Sequence, residues 1–367
     1  MNILYLTNHL NVGGITSYLF SLSAAVQQKG HKVYLASSGG ELTQQFVAAG
    51  IEFISIPIMT KSELSPKIWI SLFKLLAQIK QKDIQIIHAN TRVTQVLAGL
   101  LLRFSGRPFV STCHGFFKPR LSRRLFGCWG KKVIAISEQV KEHLIADFHV
   151  PEKDIRVINN GIDILRFARN ASRDPRTGKM KLGLKDGPVI GIIARLSDVK
   201  GHIYLLQAMA WILPVIPQLQ LLIIGEGKMK NELVNLTREL KIEKSVIFIP
   251  TLADTPRALE AMDIFVMPSL AEGLGLGVME AMASGVCVVA SDIGGLRSLI
   301  TNQVNGILVK PKDVKALAQA IIDLLKDEDK KNALAAAGQN SITENFSSEK
   351  CAYLTCEVYS ECLEKKS

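Results

Sequence analysis

No stretch of the 367-residue chain approaches the ~18 consecutive apolar residues that a membrane-spanning helix requires. The start, M-N-I-L-Y-L-T-N, has neither a basic n-region nor a small-residue cleavage site, so no secretory signal is expected there. The six cysteines, Cys113, Cys128, Cys287, Cys351, Cys356 and Cys362, form no C-x-x-C pair. That absence argues against a structural zinc site or a disulfide framework and fits a reducing, cytoplasmic compartment. With 27 Gly and 13 Pro among 367 residues, no bias toward collagen or disorder appears. No nucleic-acid recognition motif is present either. What remains is an ordinary folded composition, 48% hydrophobic and 21% charged, on a chain long enough at ~150 residues per domain for two domains.

Charge is unevenly placed. Residues 1–165 carry 19 Lys and Arg against 10 Asp and Glu, whereas the remainder is nearly balanced at 25 against 23. The basic excess is densest from Arg103 to Lys132, where Arg103, Arg107, Lys118, Arg120, Arg123, Arg124, Lys131 and Lys132 occur without an acid.

Short apolar runs alternate with helical patterns, the signature of β-α units on a parallel sheet. The first half predicts strands at Asn2–Leu6, Lys32–Ala36, Glu52–Ile56, Gln85–His88, Phe109–Thr112, Val133–Ile136 and Arg156–Ile158. A polar segment punctuated by Gly and Pro, Leu165–Pro188, reads as an inter-domain linker. A second series follows at Val189–Ala194, Gln220–Ile224, Val246–Ile249, Ile264–Met267, Cys287–Ala290 and Gly306–Val309. Two doubly wound α/β domains in tandem account for the pattern.

Ligands of such sheets bind outside the carboxyl ends of the strands. In the second domain, R-L-S-D-V-K-G sets Arg195 and Lys200 on a short loop before a helix opening near His202, a site suited to a diphosphate. The turn Gly225–Gly227 either lets a nucleotide approach the backbone or is an ordinary tight turn. After Ile264–Met267 comes P-S-L-A-E-G-L-G-L-G-V-M-E-A-M-A-S-G, whose glycines permit a pliable loop and whose V-M-E-A-M-A forms a helix from about Leu276. Glu272 then stands on the loop and Glu280 about one turn into the helix. Beside two cations and open helix amides, these carboxylates suit sugar hydroxyls rather than phosphate. For Glu280 the alternative is a first-turn acid favoured by the helix dipole. S-D-I-G-G-L-R repeats the design, with Gly294 and Gly295 opening a helix.

R-L-S-D-V-K-G together with the E-x7-E pair resembles the retaining glycosyltransferases of family 4, the "glycosyl transferases group 1", over nearly the whole chain. The resemblance implies a GT-B fold: two Rossmann-like domains facing across a cleft. An acceptor-side domain would span 1–165, a nucleotide-sugar domain 166–345, and a C-terminal helix, 346–367, would return to the first domain. It further implies that Arg195 and Lys200 neutralise the donor diphosphate, Glu280 holds the ribose and Glu272 the transferred sugar. The amides of Gly273, Leu274, Gly275 and Leu276, and Gly14 in N-H-L-N-V-G-G-I-T-S, would face the donor. His114, in S-T-C-H-G, occupies the position of the family's active-site histidine. A hexosyl unit would pass to a hydroxyl with retention of configuration and without a metal or cofactor. V-I-N-N-G-I-D resembles the family's domain-junction motif, with Asn159 where proline is usual; Ala194 replaces a frequent glycine, and Gly115 follows His114 where some members carry Asp.

The acceptor is read from charge. Lys61, Lys67, Lys74, Lys80 and Lys82 accompany Ile68, Trp69, Leu72, Phe73, Leu75 and Leu76, and the segment Lys118–Lys132 interleaves Leu121, Leu125, Phe126 and Trp129 with its cations. Both segments suit an anionic membrane or a lipid-linked acceptor at the inner face of the cytoplasmic membrane; for the first, a crossover helix with its apolar face on the sheet is an equal alternative. Such acceptors belong to lipopolysaccharide or other envelope polysaccharide synthesis. Two rival classes are a non-hydrolysing nucleotide-sugar epimerase of the same architecture and a basic nucleic-acid-binding protein, which leaves the Glu272/Glu280 loop unexplained.

Overall fold

A computed structural model describes residues 1–117, 127–167, 175–252 and 255–364. The chain forms two units, Met1–Ile162 with Ser348–Ser367, and Asp163–Ser347.

The first unit is built on a seven-stranded parallel sheet of β1 (Asn2–Leu6), β2 (Lys32–Ser37), β3 (Glu52–Ser55), β4 (Ile86–Ala89), β5 (Phe109–Cys113), β6 (Lys132–Ala135) and β7 (Ile155–Val157), in the order β3-β2-β1-β4-β5-β6-β7. Strand alternation divides the core between its faces. Ile3 and Tyr5 join Leu19, Leu22, Val26 and Tyr359 on one side, while Leu4 and Leu6 join Leu72, Leu75 and Leu97 on the other. Burial on both faces explains why these strands read as unbroken apolar runs. The first face is covered by the helix Gly14–Gln28 and by the terminal helix Ser348–Leu363, which belongs to this unit.

The second unit has a six-stranded parallel sheet of β8 (Val189–Ile193), β9 (Gln220–Ile224), β10 (Val246–Ile249), β11 (Ile264–Met267), β12 (Cys287–Ser291) and β13 (Ile307–Val309), ordered β10-β9-β8-β11-β12-β13. In each sheet the order reverses once, between β1 and β4 and between β8 and β11. Diverging connections there open a crevice above the strand ends. The expected strands are all present, with ends displaced by at most one residue.

Two segments depart from their sequence reading. Residues 175–188, read as linker, fold with the second unit: Pro175–Lys181 is helical, Leu184 is buried, and Lys179 Nζ donates to Gly187 O at 3.0 Å. In the basic segment of the first unit, Lys118–Phe126, with Lys118, Arg120, Leu121, Arg123, Arg124, Leu125 and Phe126, lies outside the described residues. Of its described cations, Arg103 is exposed, and Arg107, Lys131 and Lys132 have partners within the unit. Lys131 Nζ donates to the carbonyls of Cys362 (2.8 Å) and Glu364 (3.3 Å), Lys132 to Lys153 O (2.8 Å), and Arg107 pairs with Asp83. Trp129 meets Phe148 edge-on and lies against the Arg92 guanidinium. Lys131 and Lys132 thus anchor the end of the terminal helix and the strand edge rather than forming an open basic face. The helix Pro66–Gln81 behaves differently. Ile68, Leu72 and Leu75 are buried, but Trp69, Ile70 and Phe73 are 49%, 56% and 67% exposed beside the exposed Lys74.

Candidate active site

In the second unit the loops after β8 and β11, neighbours at the reversal of strand order, meet. The chain leaves β8 through Ala194, whose N–H donates to Ile224 O, and Leu196 N–H donates to Glu226 O at 2.9 Å. The glycines of the Gly225–Gly227 turn therefore serve loop packing: a Cβ on Gly227 would lie 2.1 Å from Leu196 O. At the loop's end Gly201 is left-handed (φ +71°), and a Cβ there would stand 1.9 Å from Pro268 O. Only glycine permits that approach. It brings Val199 O within 2.8 Å of the Leu270 N–H.

This bracing places Lys200 against Glu272. Lys200 Nζ donates to Glu272 Oε1 at 2.5 Å, and the buried Ser269 Oγ donates to the same oxygen at 2.8 Å. The glutamate side chain is 9% exposed and the lysine 23%. The sequence sets this cation and carboxylate toward different parts of a ligand; in the structure they hold each other. Arg195 is exposed at the mouth of the same loop. No ion pair joins it to a described residue.

The helix Leu276–Ala283 begins at Gly275 with no side-chain cap, so its first amides stay open. Glu280 lies beyond its first turn, which removes the dipole-favoured role considered for it. Burial pushes its carboxyl up to about 7, against the opposing effects of the Arg166 charge and a hydrogen bond from Thr255. The protonated form is thereby favoured over that of an ordinary carboxyl, and in that form the group can donate as well as accept. The loop after β12 supports this region from the far side. A Cβ on Gly295 would lie 2.4 Å from Glu272 O and 2.8 Å from Gly273 O. Arg297 beside it is paired with Asp292 through two nitrogens, at 2.5 and 3.0 Å.

In the first unit Gly14 opens the helix Gly14–Gln28, again without a side-chain cap, beyond β1. His114 follows β5. Its Nε2 lies 3.2 Å from Asn90 Oδ1, and the Tyr18 ring meets it edge-on at 4.7 Å. Burial brings the imidazole down to about 3, so it is neutral at any ordinary pH. Below it is a buried polar chain: His88 contacts Thr112 Oγ1 and Tyr359 Oη at 2.6 Å each, and Tyr359 donates to Tyr5 at 3.0 Å.

Ser269, Asn90, His88 and Tyr359 escaped the sequence reading. Ser269 and Asn90 carried one usable signal, a polar residue within two positions of the end of an apolar strand. Tyr359 carried none, because its partners are distant in sequence.

Comparison with known proteins agrees with the class that fold and site define, the nucleotide-binding GT-B glycosyltransferases. Residues 177–341 match the family "Glycosyl transferases group 1", and residues 12–166 match "Glycosyltransferase Family 4". The UDP-Gal:alpha-D-GlcNAc-diphosphoundecaprenol alpha-1,3-galactosyltransferase of Escherichia coli is 30% identical over 76% of this chain and 74% of its own. The N-acetyl-alpha-D-glucosaminyl L-malate synthase of Bacillus anthracis is 26% identical over 98% and 96%. Among solved structures, Anabaena Alr3699/HepE in complex with UDP and glucose superposes with a TM-score of 0.87 over 98% of this chain and 100% of that one, at 24% identity, a likeness of fold. The chain belongs to the family 4, group 1 glycosyltransferases, and is an enzyme of that class.

Proposed function

We propose that the enzyme transfers a hexosyl group from a nucleotide-diphosphate sugar to a hydroxyl of a glycan or lipid-linked acceptor, with retention of configuration and without a metal. The observation that carries this reading is the Lys200–Glu272–Ser269 cluster, set between an exposed Arg195 and an uncapped helix start. Departure of a nucleoside diphosphate develops negative charge, and preorganised cations and amides stabilise it most effectively where water is excluded. We assign that task to Arg195, Lys200, the amides of Gly273–Leu276 and Gly14. Glu280 takes ribose hydroxyls, Glu272 hydroxyls of the transferred sugar, and His114 a further group of that sugar. On donor binding the ammonium of Lys200 turns from Glu272 toward phosphate, freeing a carboxylate oxygen for the sugar.

Relatives named for a diphosphoundecaprenol acceptor and for a phosphatidylinositol mannoside acceptor support a lipid-linked acceptor and a role in envelope polysaccharide synthesis. No helix among the described residues is long and apolar enough to cross a membrane. The exposed Trp69, Ile70 and Phe73 beside Lys61, Lys67 and Lys74 support contact with an anionic membrane surface instead. The test is incubation with UDP-, GDP- and ADP-sugars and polyprenyl-diphosphate glycans, with and without EDTA. Free nucleoside diphosphate and a glycosylated lipid whose new linkage keeps the donor's anomeric configuration are expected. An isomerised donor would mean an epimerase and overturn the assignment.

A further inference from the structure

We propose that Asn90 is a positioning residue that locks His114 in its Nε2–H tautomer, leaving Nδ1 as a hydrogen-bond acceptor only. Asn90 is buried at the end of β4, and its Nδ2 faces two backbone carbonyls, Leu6 O at 3.5 Å and His88 O at 3.2 Å. A carbonyl only accepts, so the amide cannot be turned over without burying two lone pairs against its own oxygen. Oδ1 must then face His114, and it accepts as well. The atom opposite it, His114 Nε2 at 3.2 Å, therefore carries the proton.

A neutral imidazole has one proton, so Nδ1 presents a lone pair. That nitrogen has no hydrogen-bond partner among the described residues. The titratable neighbours of the ring, His88 and Tyr18, and the adjoining Cys113, are buried, and burial keeps each in its uncharged form. Resting on the reading that His114 meets the transferred sugar, the consequence concerns substrate class. The group against Nδ1 must bring its own hydrogen, as a hydroxyl does, whereas a carboxylate such as that of a hexuronic acid meets lone pair against lone pair. It also bars His114 from giving a proton through that face.

The test is a two-bond proton–nitrogen spectrum of the full chain labelled with 15N-histidine. Of its seven histidines, His114 is identified by the resonance lost in His114→Gln. Expected is a protonated Nε2 and a lone-pair Nδ1, unchanged from pH 5 to 8. A protonated Nδ1, or a titration midpoint within that range, overturns the proposal. Asn90→Ala should let both tautomers populate, and Asn90→Asp, placing a carboxylate opposite Nε2, should bring the midpoint up into the range. A His114 spectrum unchanged by both substitutions rejects Asn90 as the lock. The wild-type spectrum decides the tautomer even if neither variant folds. It is recorded without donor, so its failure leaves the transferase reading standing, while loss of that reading leaves the tautomer standing.

Discussion

Replacing Lys200 by alanine separates two tasks that the structure gives to one ammonium. Its resting task is to balance Glu272. Removing one partner of a fully buried ion pair costs ~3–5 kcal/mol. Lys200 remains 23% exposed, and Ser269 still donates to the carboxylate, so the loss should be smaller, about 1–3 kcal/mol. Its working task is to meet the developing charge on the leaving diphosphate, a contribution of ~2–4 kcal/mol, or about 30- to 1000-fold in kcat/KM. Glu272→Gln removes the charge that Lys200 balances and should recover much of the stability lost in Lys200→Ala. It should not recover the activity. In a double-mutant cycle read by melting temperature and by initial rates of nucleoside diphosphate release, the pair should couple strongly in stability, whereas adding Lys200→Ala to the Glu272→Gln variant should still lose at least about tenfold in kcat/KM. If the lysine costs no rate in that background, it serves only as a counter-ion. If Lys200→Ala alone runs within about threefold of the parent, below the smallest effect expected of a phosphate-directed cation, the donor site is misassigned.

Gly295→Ala should force the Glu272–Gly273 backbone away, costing about 1–3 kcal/mol of stability and roughly 100-fold in rate, measured by thermal melting and turnover; a silent substitution would show that the loop is not braced there. Because the carboxyl of Glu280 is raised from its ordinary value to about 7, its protonated form is favoured in the folded state. Its contribution to stability is complete below the ordinary carboxylate range and is lost as pH rises through about 7. Glu280→Gln should therefore flatten the fall in melting temperature between pH 5 and 8, worth about 1–2 kcal/mol after allowance for partial solvation, and parallel curves for the two proteins would refute the shift. Trp69→Ala with Phe73→Ala should reduce sedimentation with vesicles rich in phosphatidylglycerol at least about tenfold while lowering melting only modestly, since Phe73 is 67% and Trp69 49% exposed. Equal sedimentation with neutral and anionic vesicles would remove the membrane assignment.

The central strands were legible because they lie between two layers of helix and need apolar residues on both faces; exposed positions occur only at strand ends such as Lys32, Glu52 and Ser55. The donor loops were legible for the opposite reason, since charged and glycine residues follow directly on apolar runs. The contact of Lys200 with Glu272 was not. It depends on Gly201 passing close to Pro268, a tertiary approach for which local spacing gives no measure. The Lys131 cation serves carbonyls at the far end of the chain, whereas Lys74 stays in water. In sequence the two look alike, and only the course of the terminal helix distinguishes them. The same helix hid Tyr359, without which His88 reads as an ordinary strand residue.

That helix also sets an order of assembly. The second unit is one uninterrupted stretch, Asp163–Ser347, complete before the last residues are made. The first unit is not: Ser348, whose N–H reaches back to Ile162 O at 2.9 Å, begins the piece that covers Tyr5, Tyr18 and His88. During synthesis the N-terminal half therefore waits with the part of that sheet face not covered by Gly14–Gln28 open until the last helix is made. A stop codon a few residues into this last helix would leave the second unit whole and expose the hydrophobic interior of the first to chaperones and proteases.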